Sequence, residues 1–256
     1  MKYLLSILSI VFVCVFVCGN TACNKPSIVT PTDTSTLFLD LHTFIDSNEV
    51  GSSGHLYPDT NGRAIALNVA QFYISNISIT NTSGRIFTFP GTYLLKTLGT
   101  NIFLAGTIQA GNYTSIAFNV GIDPATNDAT IPSNYTAPNP LAPQNPSMWF
   151  GSMTEGYIFM KITGSARDNA STPAVPISYL IGSDQLYETV VLPTHNPAYT
   201  VGIKQSLTVH IICDYGKLLR TVNNFASNPT TDTYLTNTNL ANTIAVGIPN
   251  MFYYKN

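Results

Sequence analysis

Ile116–Gly164, IAFNVGIDPATNDATIPSNYTAPNPLAPQNPSMWFGSMTEGYIFMKITG, is the stretch from which the rest of the chain is read. Both of its ends are β-like. Ile116 to Ile122 is nearly apolar, and Gly156 to Gly164 sets Tyr157, Phe159 and Lys161 against Ile158, Met160 and Ile162 in the period-2 alternation of a strand. Between them runs a connection studded with proline and asparagine that carries the only tryptophan, Trp149. Connections of that length are uncommon unless functional or disordered, and one bearing Met148, Trp149, Phe150 and Met153 is too apolar to be left in water. The expectation is a loop that packs back on a sheet and carries the site.

On the N-terminal side, LFLDLHTF (Leu37 to Phe44) turns Leu37, Leu39 and Leu41 one way and Phe38, Asp40 and His42 the other, so His42 shares a face with Asp40. Such a histidine is either a metal ligand with a carboxylate acceptor behind it or a half-exposed side chain with an ordinary partner. Ala64 to Thr80 alternates over much of its length, and Asn81-Thr82-Ser83-Gly84 closes a hairpin into Arg85 to Phe89. On the C-terminal side, Ser206 onward sets Leu207, Val209 and Ile211 against Thr208, His210 and Ile212. Asp214 then caps a short helix or turn in which Tyr215, Leu218 and Leu219 recur at helical spacing. His195 falls in a turn expected to be solvated. Short alternating segments separated by Gly, Asn and Pro turns predict an all-β fold, a single antiparallel β-sandwich with long loops, and helix below about 15%. First and last strands of a sandwich are often adjacent, so His42 and His210 are expected within reach of one ion. Trp149 is expected to be covered, with its indole N–H bonded and Met148 or Met153 beside it.

Several of these residues carry a resemblance. Phe118, Gly121-Ile122-Asp123, Asn127, Pro140-Leu141, Met148-Trp149 and Gly156-Tyr157 with Phe159 and Lys161, preceded by QFYISNISI (Gln71 to Ile79), resemble the MbnP-like domain of bacterial lipoproteins, common in Bacteroidetes-type bacteria. The resemblance covers most of residues 37 to 250. It implies a copper-associated periplasmic protein whose tryptophan is oxidised to kynurenine by a partner di-haem peroxidase of the MauG type. On this chain it implies Trp149 as the modifiable aromatic, with His42, His210, Met148 and Met153 as metal ligands. Relatives often carry W-x-W before Gly-Tyr; here Met153 takes the later place, and Trp149 stands two residues before the earlier one.

The N-terminus reads separately. Met1-Lys2 followed by the apolar run Tyr3 to Cys18 is too short for a confident membrane span and reads as a secretory leader. Thr21-Ala22-Cys23-Asn24 resembles a lipobox, in which Cys23 is diacylated and anchors the chain to a membrane. The expected organisation is a leader over 1–22, a tether over 23–35 and one domain over 36–256, on the periplasmic face of the outer membrane. With Cys23 acylated, Cys213 is the one thiol left in the domain and is either a buried hydrophobe or a ligand or reactive thiol.

Composition narrows the function. Charged residues are 9% of the chain, against roughly 25% in a typical soluble protein, and the 11 Lys and Arg are scattered at a net charge of −2, which excludes nucleic acid as a partner. No nucleophile, base and orienting group stand together, so an enzyme is not expected. Two functions remain: the copper-associated envelope lipoprotein that the resemblance implies, or a non-metal ligand-binding or adhesion module built on Trp149, Phe150 and Tyr157.

Overall fold

The computed structural model describes residues 34–255; the leader, Cys23 and the first part of the tether lie outside the described residues. Strands take up 45% and helices 13% of the described residues. In chain order the strands are β1 (Thr34–Ile45), β2 (Asn48–Glu49), β3 (Tyr57–Pro58), β4 (Ala64–Asn81), β5 (Ile86–Thr88), β6 (Leu94–Lys96), β7 (Ile102–Gln109) and β8 (Gly111–Val120). They continue as β9 (Met160–Arg167), β10 (Val175–Ile181), β11 (Glu188–Val191), β12 (Tyr199–Val201), β13 (Ser206–Asp214), β14 (Thr230–Asp232) and β15 (Phe252–Tyr254). Helices α1 (Pro124–Asn127), α2 (Tyr215–Leu219) and α3 (Thr238–Gly247) fill the connections.

Two sheets form the layers of the sandwich. The five-stranded sheet runs β15-β13-β1-β2, with β7 also on β1; the ten-stranded sheet runs β11-β8-β4-β9-β10-β14, with β12 on β8 and β3, β5 and β6 on β4. Leu37, Leu39 and Leu41 of β1 and Leu207, Val209 and Ile211 of β13 face the other sheet and join one continuous core, as their alternation requires. Burying each such side chain contributes about 1.5–3 kcal/mol, and with so many in one cluster the domain holds without a disulfide.

The antiparallel expectation needs correction. β1 pairs with β13 in parallel, and so does β10 with β14. An antiparallel sense is imposed where a tight turn joins two strands, and β1 and β13 stand at opposite ends of the domain with no such turn between them. β1 begins at Thr34, two residues inside the expected tether, because Ser35 is buried and its hydroxyl donates to Gly202 O. The helix after Asp214 is present, and Asp214 accepts from Lys217 N–H as its cap. α3 is a ten-residue helix with no counterpart among the expectations from sequence. His195 is not free in solvent; it stacks on Tyr199 with ring centroids 3.9 Å apart and meets Tyr254 edge-on.

The long connection does pack back. Met148, Leu141, Ile122 and Tyr157 build a second apolar cluster with Tyr73 and Phe159, against which Trp149 and Phe150 are partly buried. On β4, Phe72 therefore points into the core between the sheets while its neighbour Tyr73 points into this second cluster. Tyr157, Ile158, Phe159 and Met160 are all buried because apolar groups cover both sides of the segment.

Candidate metal centre

The outward face of the five-stranded sheet carries the polar half of the β1 and β13 alternations. Register places Asp40 opposite His210 and His42 opposite Ile212, so Asp40, His42 and His210 point the same way from adjacent strands. Asp40 Oδ2 lies 3.1 Å from His42 Nε2 and 2.9 Å from His210 Nδ1. The two ring nitrogens are 3.4 Å apart, and the rings are stacked with centroids at 5.7 Å. Asp40 Oδ1 is buried without a hydrogen-bond partner. These residues form a candidate three-ligand set whose donor atoms all lie within 4.8 Å of one another.

Two more charged side chains close around His42. After β1 the chain turns at Asp46, a non-glycine residue at φ 51°, and brings Glu49 of β2 back beside the ring. That turn is clamped from the far end of the domain: Asp46 N–H donates to Asp214 Oδ1 at 2.8 Å, and the Arg220 guanidinium pairs with the Asp46 carboxylate. Glu49 Oε1 lies 2.7 Å from His42 Nδ1. Lys255, held by its own N–H on His210 O, sets its ammonium 3.0 Å from His42 Nδ1 and 3.1 Å from Glu49 Oε2. Partial burial pushes the Glu49 carboxyl up, but hydrogen bonds from His42 and Lys255 outweigh it and hold the group below its usual value. With both imidazoles neutral, two carboxylates face one ammonium, leaving a local excess of negative charge that favours a cation.

The sequence points to His42 and His210, and the structure brings them together; Asp40, expected as a carboxylate acceptor behind His42, instead stands among the candidate ligands. Glu49 and Lys255 were missed. Glu49 sits one tight turn beyond β1, so treating that segment as a hairpin would have exposed it, whereas Lys255, next to last in the chain, carries no local signal.

Met148 and Met153 do not join the histidines, which corrects their assignment as ligands of the same ion. Both line a pocket of about 430 Å³ beneath the long connection, with Trp149, Tyr73 and Tyr157. The chain topology explains the separation: the methionines ride on the loop between β8 and β9, which packs on the ten-stranded sheet, while the histidines face outward from the other sheet. Trp149 is half-buried and meets Tyr157 edge-on at 5.0 Å. Its expected indole partner is missing: the hydrogen bonds of Trp149 run from its backbone N–H to Ser147 Oγ and from that hydroxyl to its carbonyl, and no acceptor among the described residues meets the indole N–H.

Fold and cluster together define a two-sheet β-sandwich protein with a histidine and carboxylate centre on its outer face. The chain belongs to the MbnP family, whose model matches residues 34–239. Among solved structures it is similar to MbnP from Methylosinus trichosporium, at 15% identity and a TM-score of 0.52, covering 73% of this chain and 78% of that one. No curated protein matches the chain.

Proposed function

We propose that this protein is a copper-associated lipoprotein of the cell envelope that holds its ion on Asp40 Oδ2, His42 Nε2 and His210 Nδ1. The observation that carries the reading is their spacing of 3.1, 2.9 and 3.4 Å. Donors bound to one ion at about 2.0–2.1 Å stand roughly 2.9–3.4 Å apart for angles between a right angle and the tetrahedral value. The three atoms are thus already at the separations of neighbouring ligands. The orphaned Asp40 Oδ1 offers a further oxygen. Two imidazoles and a carboxylate suit Cu(II) or Zn(II) better than Cu(I), which prefers thioether and thiolate donors.

Within this site the protein's own groups orient the ligands. In the tautomer with its proton on Nδ1, His42 donates to Glu49 Oε1, which leaves Nε2 free to bind the ion and fixes the ring. Lys255 ties Glu49 in place. A bound ion would supply charge and a Lewis-acid centre, held on two imidazoles and a carboxylate. The remaining parts of the reading rest on the sequence: the lipobox-like Thr21-Ala22-Cys23-Asn24 supports a lipid anchor at Cys23 and with it a periplasmic position, and the resemblance of the Trp149 segment implies a di-haem peroxidase partner that would oxidise Trp149.

The test is a titration of the metal-free protein with Cu(II), followed by calorimetry and by the nitrogen hyperfine pattern in electron paramagnetic resonance. One ion per chain with two nitrogen ligands is expected, and the signal should vanish when His42 and His210 are both replaced by alanine. A wild-type protein that takes up no copper ends the proposal. The intact mass of the Trp149 peptide from native cells tests the partner separately.

A further inference from the structure

The pocket under the long connection is lined by side chains without a single formal charge, Tyr73, Met148, Trp149, Met153 and Tyr157 among them. Its polar groups are largely committed to the protein. Tyr73 donates its hydroxyl to Pro140 O at 3.2 Å and Tyr157 to Leu141 O at 3.0 Å. Gln144 donates both amide hydrogens to its own loop, to Pro140 O and Ala142 O. Among the described residues, neither the indole N–H of Trp149 nor the exposed hydroxyl of Ser133 meets an acceptor, and the indole is the donor set among the aromatic and thioether walls.

The walls are preformed. Trp149 bridges Tyr157 across a short antiparallel pair, Ile158 N–H donates to Met148 O at 2.9 Å and Phe150 N–H to Gly156 O at 3.1 Å, so the backbone that carries Trp149 is fixed on both sides. Tyr157 stands edge-on to both Trp149 and Tyr73, with centroids 5.0 and 5.8 Å away. Met153, at 49% exposure, forms the outer rim.

We infer that this pocket is a second binding site, for an uncharged, flat aromatic molecule that bears a hydrogen-bond acceptor. An ion of either sign would lose hydration there without touching a charged lining side chain, since Lys161 and Glu155 are engaged with Ser147 O and Ser152 Oγ, at a cost of several kcal/mol. Aromatic edges and thioethers favour a flat ring, and the free indole N–H selects an acceptor oxygen on it. An enclosed apolar cavity of about 150 Å³ takes one benzene-sized ring, so a pocket of about 430 Å³ has room for two or three fused rings. The site is independent of the Asp40, His42 and His210 centre, and it is a property of the chain with Trp149 as an intact indole, before any oxidation.

Because Trp149 is the only tryptophan, the full chain labelled with nitrogen-15 gives one indole cross-peak, and that peak reports the pocket. Titration with coumarin, flat and uncharged with a carbonyl acceptor, should move the peak saturably. Coumarin-3-carboxylate, the same rings with a charge, should bind at least about tenfold more weakly. Met153→Asp should weaken coumarin by about tenfold or more, since it places a carboxylate at the rim, while Met153→Leu should stay within about twofold. Met153 is half-exposed, so both variants should keep the wild-type spectrum elsewhere. An indole peak that coumarin does not move, equal binding of the two coumarins, or unchanged binding in Met153→Asp would each overturn the inference.

Discussion

Asp40 on β1 and His210 on β13 are direct register partners in a parallel pair, and their side chains meet at 2.9 Å although nearly the whole domain lies between them in sequence. The contact follows from strand pairing rather than from local chain geometry. His210 owes its place beside Asp40 and His42 to that register, because a slip of β13 by one residue would turn it to the other side of the sheet.

Glu49 acts on the ion only through His42. Glu49→Gln keeps the size of the side chain but weakens its acceptance from Nδ1–H, and loss of such an outer carboxylate typically lowers metal affinity about 10–100-fold. Calorimetric titration with Cu(II) checks this, and affinity equal to wild type would remove Glu49 from the centre. The melting temperature should hardly move, since the Glu49 side chain is 47% exposed.

Met148→Leu and Met153→Leu are expected to leave Cu(II) affinity at the wild-type value, because both methionines line the Trp149 pocket and neither lies with the histidines. A clear loss in either variant would reunite them with the metal centre.

Arg63 is buried and donates to Asp59 Oδ2 at 2.6 Å, to Leu219 O at 3.1 Å and to Val222 O at 2.9 Å, tying the turn before β4 to the end of α2. Arg63→Ala strands a buried carboxylate and two carbonyls, and breaking a buried pair from one side costs about 3–5 kcal/mol. Urea unfolding of the two proteins measures it; a difference below about 1 kcal/mol would mean water replaces the guanidinium.

Gly164 of β9 faces Leu67 of β4, where the register shifts, and a methyl group built on it would stand 1.9 Å from Ala66 O. The obstacle is backbone, so it cannot rotate away. Gly164→Ala should destabilise by more than about 2 kcal/mol, beyond the usual range for a surface strand change, in the same urea assay.

Cys213 is fully buried, and burial pushes its thiol up to about 12, the nearby Lys96 ammonium pulling it down and Asp214 adding to the rise. Thiolate is the reactive form, so iodoacetamide at pH 8.5 should leave Cys213 unmodified in the folded protein and label it once denatured. The linkage follows the same direction. Above the ordinary value of 9.0 the unfolded thiol releases its proton first, so stability from this group is whole below 9.0 and fades as pH nears about 12.

What the sequence determined by itself was local and periodic. Leu37, Leu39 and Leu41 against Asp40 and His42 gave the face of β1, the Asn81 to Gly84 turn gave the β4–β5 hairpin, and Asp214 gave the cap of α2, because each depends on neighbours within a few residues. The apolar loop around Trp149 likewise announced that it must be covered. Tertiary structure alone decided the parallel sense of β1 and β13, which no turn specifies. It also decided that Glu49 and Lys255 close on His42 from β2 and from the end of β15, and that Met148 and Met153 face a pocket on the other sheet. Alternation says which way a side chain points from its strand; which strand lies beside it is set by the packing of the whole core, and a site shared by β1, β2, β13 and the C-terminus exists only once that packing is complete.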